Sequence, residues 1–300
     1  MPTPRLAAAF GLALFISLAV PSAALASDPA PLQGDPTTAF GITDGGVLNM
    51  FDIETGRVLS SAGGQTLDAD YSTVRGELFW ATTKNGQDII NSVPWGSTRP
   101  SGVVARGRRV TVSPDGHLLA YSYDPDGPAE GSLPETIAVR NLDTGRERLY
   151  TGPAPEGIDQ KLAAPLVNDL AISPDSTRLA FDYIGGGEVF LLDLAQDHRL
   201  ADAEPLDAAV GAHSAAWMDD STLAFIDTDG VFRMAAFGAD GGVGHYVLPG
   251  YVEAIDADDS GRLMVKLTPN ESDPEGRSLY LMLVNHDGGE FLRADQTVVW

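Results

Sequence analysis

The chain has no cysteine. It therefore has no disulfide to staple it and no thiolate to act as nucleophile or metal ligand. A fold of this length has to hold together through its hydrophobic core. Positive charge is scarce: 19 Lys and Arg stand against 42 Asp and Glu, a formal net charge of −23 at pH 7. A surface this acidic repels phosphate backbones and anionic lipid headgroups, which argues against nucleic-acid and membrane-surface partners. Amphipathic helical patterns are missing beyond the N-terminal segment, as is any later apolar run of spanning length. No Gly-x-Ser-x-Gly elbow, Walker loop or dinucleotide glycine pattern occurs. The five histidines, His117, His198, His213, His245 and His286, are scattered, without His-x-x-x-His or His-Glu-x-x-His spacing. Linear motifs thus point to no catalytic constellation, no metal site and no cofactor.

What is present first is an export signal. Arg5 is followed by an apolar run from Leu6 to Val20 and by a small-residue site, Ala24-Leu25-Ala26. That order reads as a secretory signal peptide over 1–26, cleaved after Ala26, with no membrane insertion afterwards. The expected location is periplasmic or secreted. Residues 27–37, rich in Pro, Asp and Ala, read as a flexible leader, and 38–300 as one domain.

That domain carries an internal repeat. Val110-Thr-Val-Ser-Pro-Asp-Gly-His-Leu-Leu-Ala-Tyr-Ser-Tyr123 matches Leu170-Ala-Ile-Ser-Pro-Asp-Ser-Thr-Arg-Leu-Ala-Phe-Asp-Tyr183. Weaker copies run from Leu67 to Trp80, Ser214 to Ile226 and Ala254 to Val265. Each copy is a short apolar strand, a turn and a second apolar strand returning antiparallel. Proline presets φ in the turn, aspartate caps it and glycine takes positive φ. A third strand and a turn follow at Ile137 to Arg146 and Glu188 to Leu194, and Asp143-Thr144-Gly145 is the hairpin into a fourth strand, Arg146 to Tyr150. Four antiparallel strands per repeat make a propeller blade. The spacing predicts an all-β, six-bladed β-propeller. Its last blade would be closed by a C-terminal strand, Gln296 to Trp300, beside N-terminal strands at Phe40 to Asp44, Val47 to Asp52 and Arg57 to Ser60.

The order Ser-Pro-Asp-Gly, Leu-Ala-Tyr, Asn-Leu-Asp-Thr-Gly over 113–145, with its second copy over 173–194, resembles the TolB-type, or WD40-like, propeller repeat. The likeness covers the propeller part only, without the N-terminal α/β domain that precedes it in TolB. It implies a six-bladed periplasmic propeller working as a protein-interaction hub.

Candidate sites follow from where the insertions fall. The connections Asp124 to Glu135, Thr151 to Pro165 and Thr268 to Arg277 are long, and all belong to loop classes on one rim of a propeller. Asp124, Asp126, Glu130, Glu135, Glu271, Asp273 and Glu275 make that rim acidic, a partner-binding face. His213 precedes an inner strand and is the candidate for the central funnel. Asp256-x-Asp258-x-Ser260-Gly261 mimics a calcium loop, but Leu267 stands where the bidentate Glu would be, and the repeat explains the segment as a turn. The leading expectation is a monomeric, non-enzymatic, exported scaffold that binds a protein partner. The alternative is a propeller enzyme, a metal-dependent hydrolase or lactonase or a lyase, or a small-ligand sensor, using the funnel.

Overall fold

The computed structural model describes residues 15–16, 38–42, 46–52, 58–62, 65–94, 102–124, 136–155, 166–206, 211–227, 232–236, 243–246, 250–257, 263–269, 279–285 and 288–293. Among these, strands pair antiparallel into six four-stranded sheets, each made from consecutive strands. The first holds β1 (Phe15–Ile16), β2 (Thr38–Ile42), β3 (Leu48–Asp52) and β4 (Val58–Ala62). The second holds β5 (Thr66–Ser72), β6 (Glu77–Lys84), β7 (Gln87–Pro94) and β8 (Gly102–Arg106). The third is β9 (Arg109–Val112), β10 (Leu118–Tyr123), β11 (Thr136–Asn141) and β12 (Glu147–Tyr150). The fourth is β13 (Val167–Ile172), β14 (Arg178–Tyr183), β15 (Val189–Asp193) and β16 (Glu204–Pro205). The fifth is β17 (His213–Asp219), β18 (Thr222–Ile226), β19 (Phe232–Ala236) and β20 (Val243–Tyr246). The sixth is β21 (Gly250–Ala257), β22 (Leu263–Pro269), β23 (Leu279–Asn285) and β24 (Gly288–Arg293). No helix of the described residues is long and apolar enough to cross a membrane.

Turn chemistry explains the repeats. In the β9–β10 turn, Ser113 Oγ donates to Asp115 Oδ1 at 2.5 Å, and Asp115 Oδ1 also accepts from the His117 amide at 2.9 Å. The Leu118 amide donates back to Ser113 Oγ at 2.8 Å. Gly116 completes the turn at φ +73, and a Cβ there would lie 2.9 Å from Arg75 Cγ. The β13–β14 turn repeats this through Ser173, Asp175 and Thr177, with Ser176 taking the positive φ.

The apolar core lies between successive sheets. One cluster joins Phe79, Ala81 and Ile90 to Val110, Val112, Leu119 and Tyr121. The next joins Ile137, Val139 and Tyr150 to Leu170, Ile172, Phe181, Tyr183 and Phe190. A third joins Ala180 and Val189 to Ala215, Trp217, Leu223 and Phe225. The third and fourth sheets are covered on both faces, so their middle strands are near-continuous buried runs, as in Leu118–Tyr123. Aromatic contacts set the packing: Phe181 lies 5.6 Å from both Tyr183 and Phe190, ring centroid to centroid. Trp217 Nε1 donates to the Ala171 carbonyl at 3.0 Å, tying the fifth sheet to the fourth.

The first strands of the second to sixth sheets, β5, β9, β13, β17 and β21, follow one another side by side and form the inner layer. Inner strands have a free edge, whose N–H groups need partners. Aspartates of the preceding strand supply them: Val110 N donates to Asp68 Oδ2 at 2.9 Å and Val112 N to Asp70 Oδ2 at 2.7 Å. In the first sheet, the position expected for Gln296–Trp300 is held by β1, with Phe15 opposite Ala39 and Ile16 opposite Thr38. Both segments are short and apolar, and an unpaired strand edge templates such segments. Residues 296–300 lie outside the described residues.

Candidate functional site

The inner strands bring charged side chains to one level. Asp68 sits opposite Ala81, Arg109 opposite Ser122 and Asp169 opposite Asp182. One rung deeper come Ala69–Trp80, Val110–Tyr121 and Leu170–Phe181, so Asp68, Arg109 and Asp169 are equivalent positions of three successive sheets. In the fifth sheet His213 stands at this level, opposite Ile226. The register slips beside this level in β5, β13, β17 and β21 alike, between Thr66 and Asp68, Val167 and Asp169, His213 and Ala215, and Val252 and Ala254. Bulges turn side chains out of the regular pleat and gather beside sites. Ser214, inside the β17 irregularity, takes φ +49.

The electrostatics at this level are unusual. Asp169 and Asp182 are directly opposed, and like charges so placed destabilise a sheet. Asp182 is 1% exposed. Its Oδ2 accepts from Asn168 Nδ2 at 2.9 Å, and its buried Oδ1 has no hydrogen-bond partner. Burial pushes Asp182 up to about 6, against the pull of Asn168, the Ser214 amide and Arg109. Burial likewise raises Asp68 to about 6, opposed by the Arg109 guanidinium and the Val110 amide. Asp169 is pushed well above the carboxylate range by burial first and then by Asp182 and Asp68. Arg109, the cation among them, donates from Nη1 to the Leu67 carbonyl at 3.0 Å. Burial lowers His213, with Asp227 pulling the other way. Carboxyls that ionise near neutral pH beside an arginine can bind a cation or exchange a proton with a ligand. Among the described residues, no group of three His, Cys, Asp or Glu side chains is placed to hold a metal ion.

His213, the funnel candidate from sequence, stands at the start of β17 opposite Ile226 and is half-buried. Asp124 follows β10 at the same end of the strands. Asp126, Glu130, Glu135, Glu271, Asp273 and Glu275 lie outside the described residues. His117, read as a surface residue, is exposed at the opposite end, its Nδ1 2.5 Å from Asp143 Oδ2. Asp68, Arg109, Asp169 and Asp182 were not singled out. Asp68, Arg109 and Asp169 each stand just before an apolar residue of a first strand, Ala69, Val110 and Leu170, a likeness visible once the copies are aligned by register; Asp182 lies in the second strand of its copy.

A separate cleft of about 460 Å³ lies outside the ring, against the third and fourth sheets, lined by Arg146, Arg148, Tyr150, Ser176 and Leu194 among others. Its polar groups are engaged in the fold: Tyr121 OH donates to Glu147, and Arg148 Nη1 to the Leu194 carbonyl.

No protein-family model matches the chain, and no curated protein matches it in sequence. Solved structures do match in fold. Hydrazine synthase of Kuenenia stuttgartiensis superposes with a TM-score of 0.52 at 13% identity, over 83% of this chain and 74% of that one. The β-propeller domain of Myceliophteria thermophila Cps50 (Swd1) gives 0.50 at 10% identity, over 79% and 77%. A nidogen/laminin complex structure gives 0.48 at 13% identity, over 67% and 72%. Together with the four-stranded antiparallel sheets, the likeness to the Cps50 domain shows a β-propeller fold.

Proposed function

We propose that the protein is an exported, six-bladed, TolB-type propeller scaffold that binds a protein partner through one face of its disc. One observation carries the reading. β10 runs out at Tyr123, β12 at Tyr150 and β22 at Pro269, all at the end where the inner strands begin, so the three long connections leave from one face. Rigid sheets presenting several long loops on one side are a usual platform for recognition. The acidic sequence of 124–135 and 268–277 matches a partner with a basic surface, and disfavours nucleic acid.

Affinity capture from an envelope extract of the native host tests this. The intact protein is expected to retain one specific protein, and a variant with 124–135 shortened to a tight turn, equally stable to heat, is expected to lose it. Capture that is unchanged by the shortened loop, or no specific capture at all, refutes the rim. The polar ring of Asp68, Arg109, Asp169, Asp182 and His213 supports a second reading, in which the funnel holds a small ligand or its chemistry.

A further inference from the structure

The cleft between the third and fourth sheets sets an arginine with no partner over an apolar floor. Leu118, Val139, Tyr150 and Leu194 make the floor. Val139 and Tyr150 are buried, and Leu118 and Leu194 are partly covered, all in the cluster that joins the two sheets. Arg148 and Tyr150 alternate along β12 and so share a face, with Arg148 opposite Val139. Arg146 precedes them at the same spacing and lines the same cleft. Arg148 gives Nη1 to the Leu194 carbonyl, which fixes its fork beside the floor. Other arginines are committed more fully: Arg75, Arg108 and Arg199 are ion-paired. Among the described residues, the Arg146 guanidinium has neither a hydrogen bond nor an ion pair. Water satisfies an exposed guanidinium, so its place matters more than its freedom. The carboxylates around the cleft are spent on the fold: Glu147 accepts from Tyr121 OH, and Asp193 Oδ1 from the Ala195 and Gln196 amides.

We propose that this cleft binds a carboxylate carried on a short apolar stem. Arg146 would hold the carboxylate, with Arg148 beside it, and the stem would cover Leu118, Val139, Tyr150 and Leu194. A planar guanidinium meets a carboxylate through two parallel hydrogen bonds, a match that a point charge lacks. The volume of about 460 Å³ falls in the usual range for small-molecule sites. The opposite wall gives shape rather than bonds, since Ser176 Oγ donates to Asp115 and Thr177 Oγ1 to Asp175. The cleft lies at the turn end of the strands, away from the proposed acidic rim. Ligand binding here and partner capture there succeed or fail separately.

The test is a nitrogen-15 NMR titration of the purified protein with hexanoate, read at the Arg146 and Arg148 side-chain Nε–H groups and at the Ser176 and Thr177 amides. Hexanamide is the uncharged control and inorganic phosphate the stemless one. Saturable shifts at these groups are expected with hexanoate, and none with hexanamide. Arg146→Gln should weaken binding by at least about tenfold, roughly 1.4 kcal/mol. Arg106→Gln makes the same charge change on β8, outside the cleft, and should leave the affinity as it is. Both arginines are exposed, and equal thermal midpoints of the two variants separate lost binding from lost folding. A parallel arm uses acetyl-Ala-Leu with a free or an amidated C-terminus. If the free-acid peptide binds more tightly than hexanoate, the carboxylate is the end of a polypeptide; if hexanoate binds more tightly, it is a small free acid. No saturable shift up to roughly 10 mM, weaker than any useful site, overturns the proposal. So does equal affinity in Arg146→Gln, an equal loss in Arg106→Gln, or phosphate binding as tightly as hexanoate.

Discussion

Aspartates stand at both ends of the inner strands, and the two ends treat them in opposite ways. At the turn end, Asp115 and Asp175 are held below their ordinary value: the burial that would raise them is outweighed by Ser113, the His117 amide and Ser176 in one case, and by Ser173 and Thr177 in the other. At the starting end, Asp68, Asp169 and Asp182 are pushed up, because burial outweighs the bonds and the single cation they are given. The turn carboxylates are satisfied by residues within a few positions in sequence and by one neighbouring turn, Ser176 Oγ donating to Asp115 Oδ2 at 2.9 Å. They serve the fold. The starting-end carboxylates are desolvated beyond what their partners repay, which is the mark of a site kept for something other than stability.

The contrast can be broken at several points. The largest effect is expected in the core that both ends share. Phe181→Ala removes a side chain packed on Tyr183 and Phe190, and should cost about 3–5 kcal/mol in denaturant unfolding, collapsing both ends together. Next comes pH. Asp68 and Asp182 hold their protons more tightly folded, near 6, than at the ordinary 3.8. The stability this preference supplies is complete below about pH 4 and is lost as pH rises through about 6. Each group should therefore cost on the order of 2–3 kcal/mol between pH 4 and 8. Asp182→Asn should remove its share of that slope. Asp115 and Asp175, held low, work in the other direction and lose their contribution only on acidification.

Smaller effects sharpen the comparison. Gly107 precedes Arg109, and a Cβ there would meet the Ser122 carbonyl at 2.8 Å and Ile90 Cδ1 at 2.9 Å. Gly107→Ala should cost about 1–3 kcal/mol by crowding, and should disturb the ring beside it. Asp115→Ala, at the turn end, loses the bonds to Ser113, His117 and Ser176 and should cost about 1–2 kcal/mol. Thermal melts check both.

The two ends also differ in how much of them the sequence reveals. Ser-Pro-Asp-Gly and Ser-Pro-Asp-Ser make their turn-closing hydrogen bonds within five residues, so the turns, the hairpins and the four-strand repeat could be read directly. The N-terminal strands were placed within two residues at their starts and ends, Val47 to Asp52 becoming Leu48–Asp52. Asp68, Arg109 and Asp169 stand about 40 to 60 positions apart and meet only through register. One-residue slips in β5, β13 and β17 shift that register, so counting alternate residues along a strand misplaces them. His213 was singled out only because it precedes a strand copy. Asp182 was hidden inside a run, Leu-Ala-Phe-Asp-Tyr, that reads as core, and in the fold it is indeed buried.

The difference between the two ends is most directly measured by carbon-13 NMR titration of the aspartate carboxyls, assigned by single Asp→Asn variants. The account predicts midpoints near 6 for Asp68 and Asp182, one well above the ordinary value for Asp169, and values below 3.8 for Asp115 and Asp175. If all five titrate together in the ordinary carboxylate range, the starting end is a solvated surface like any other, and the case for a site there is gone.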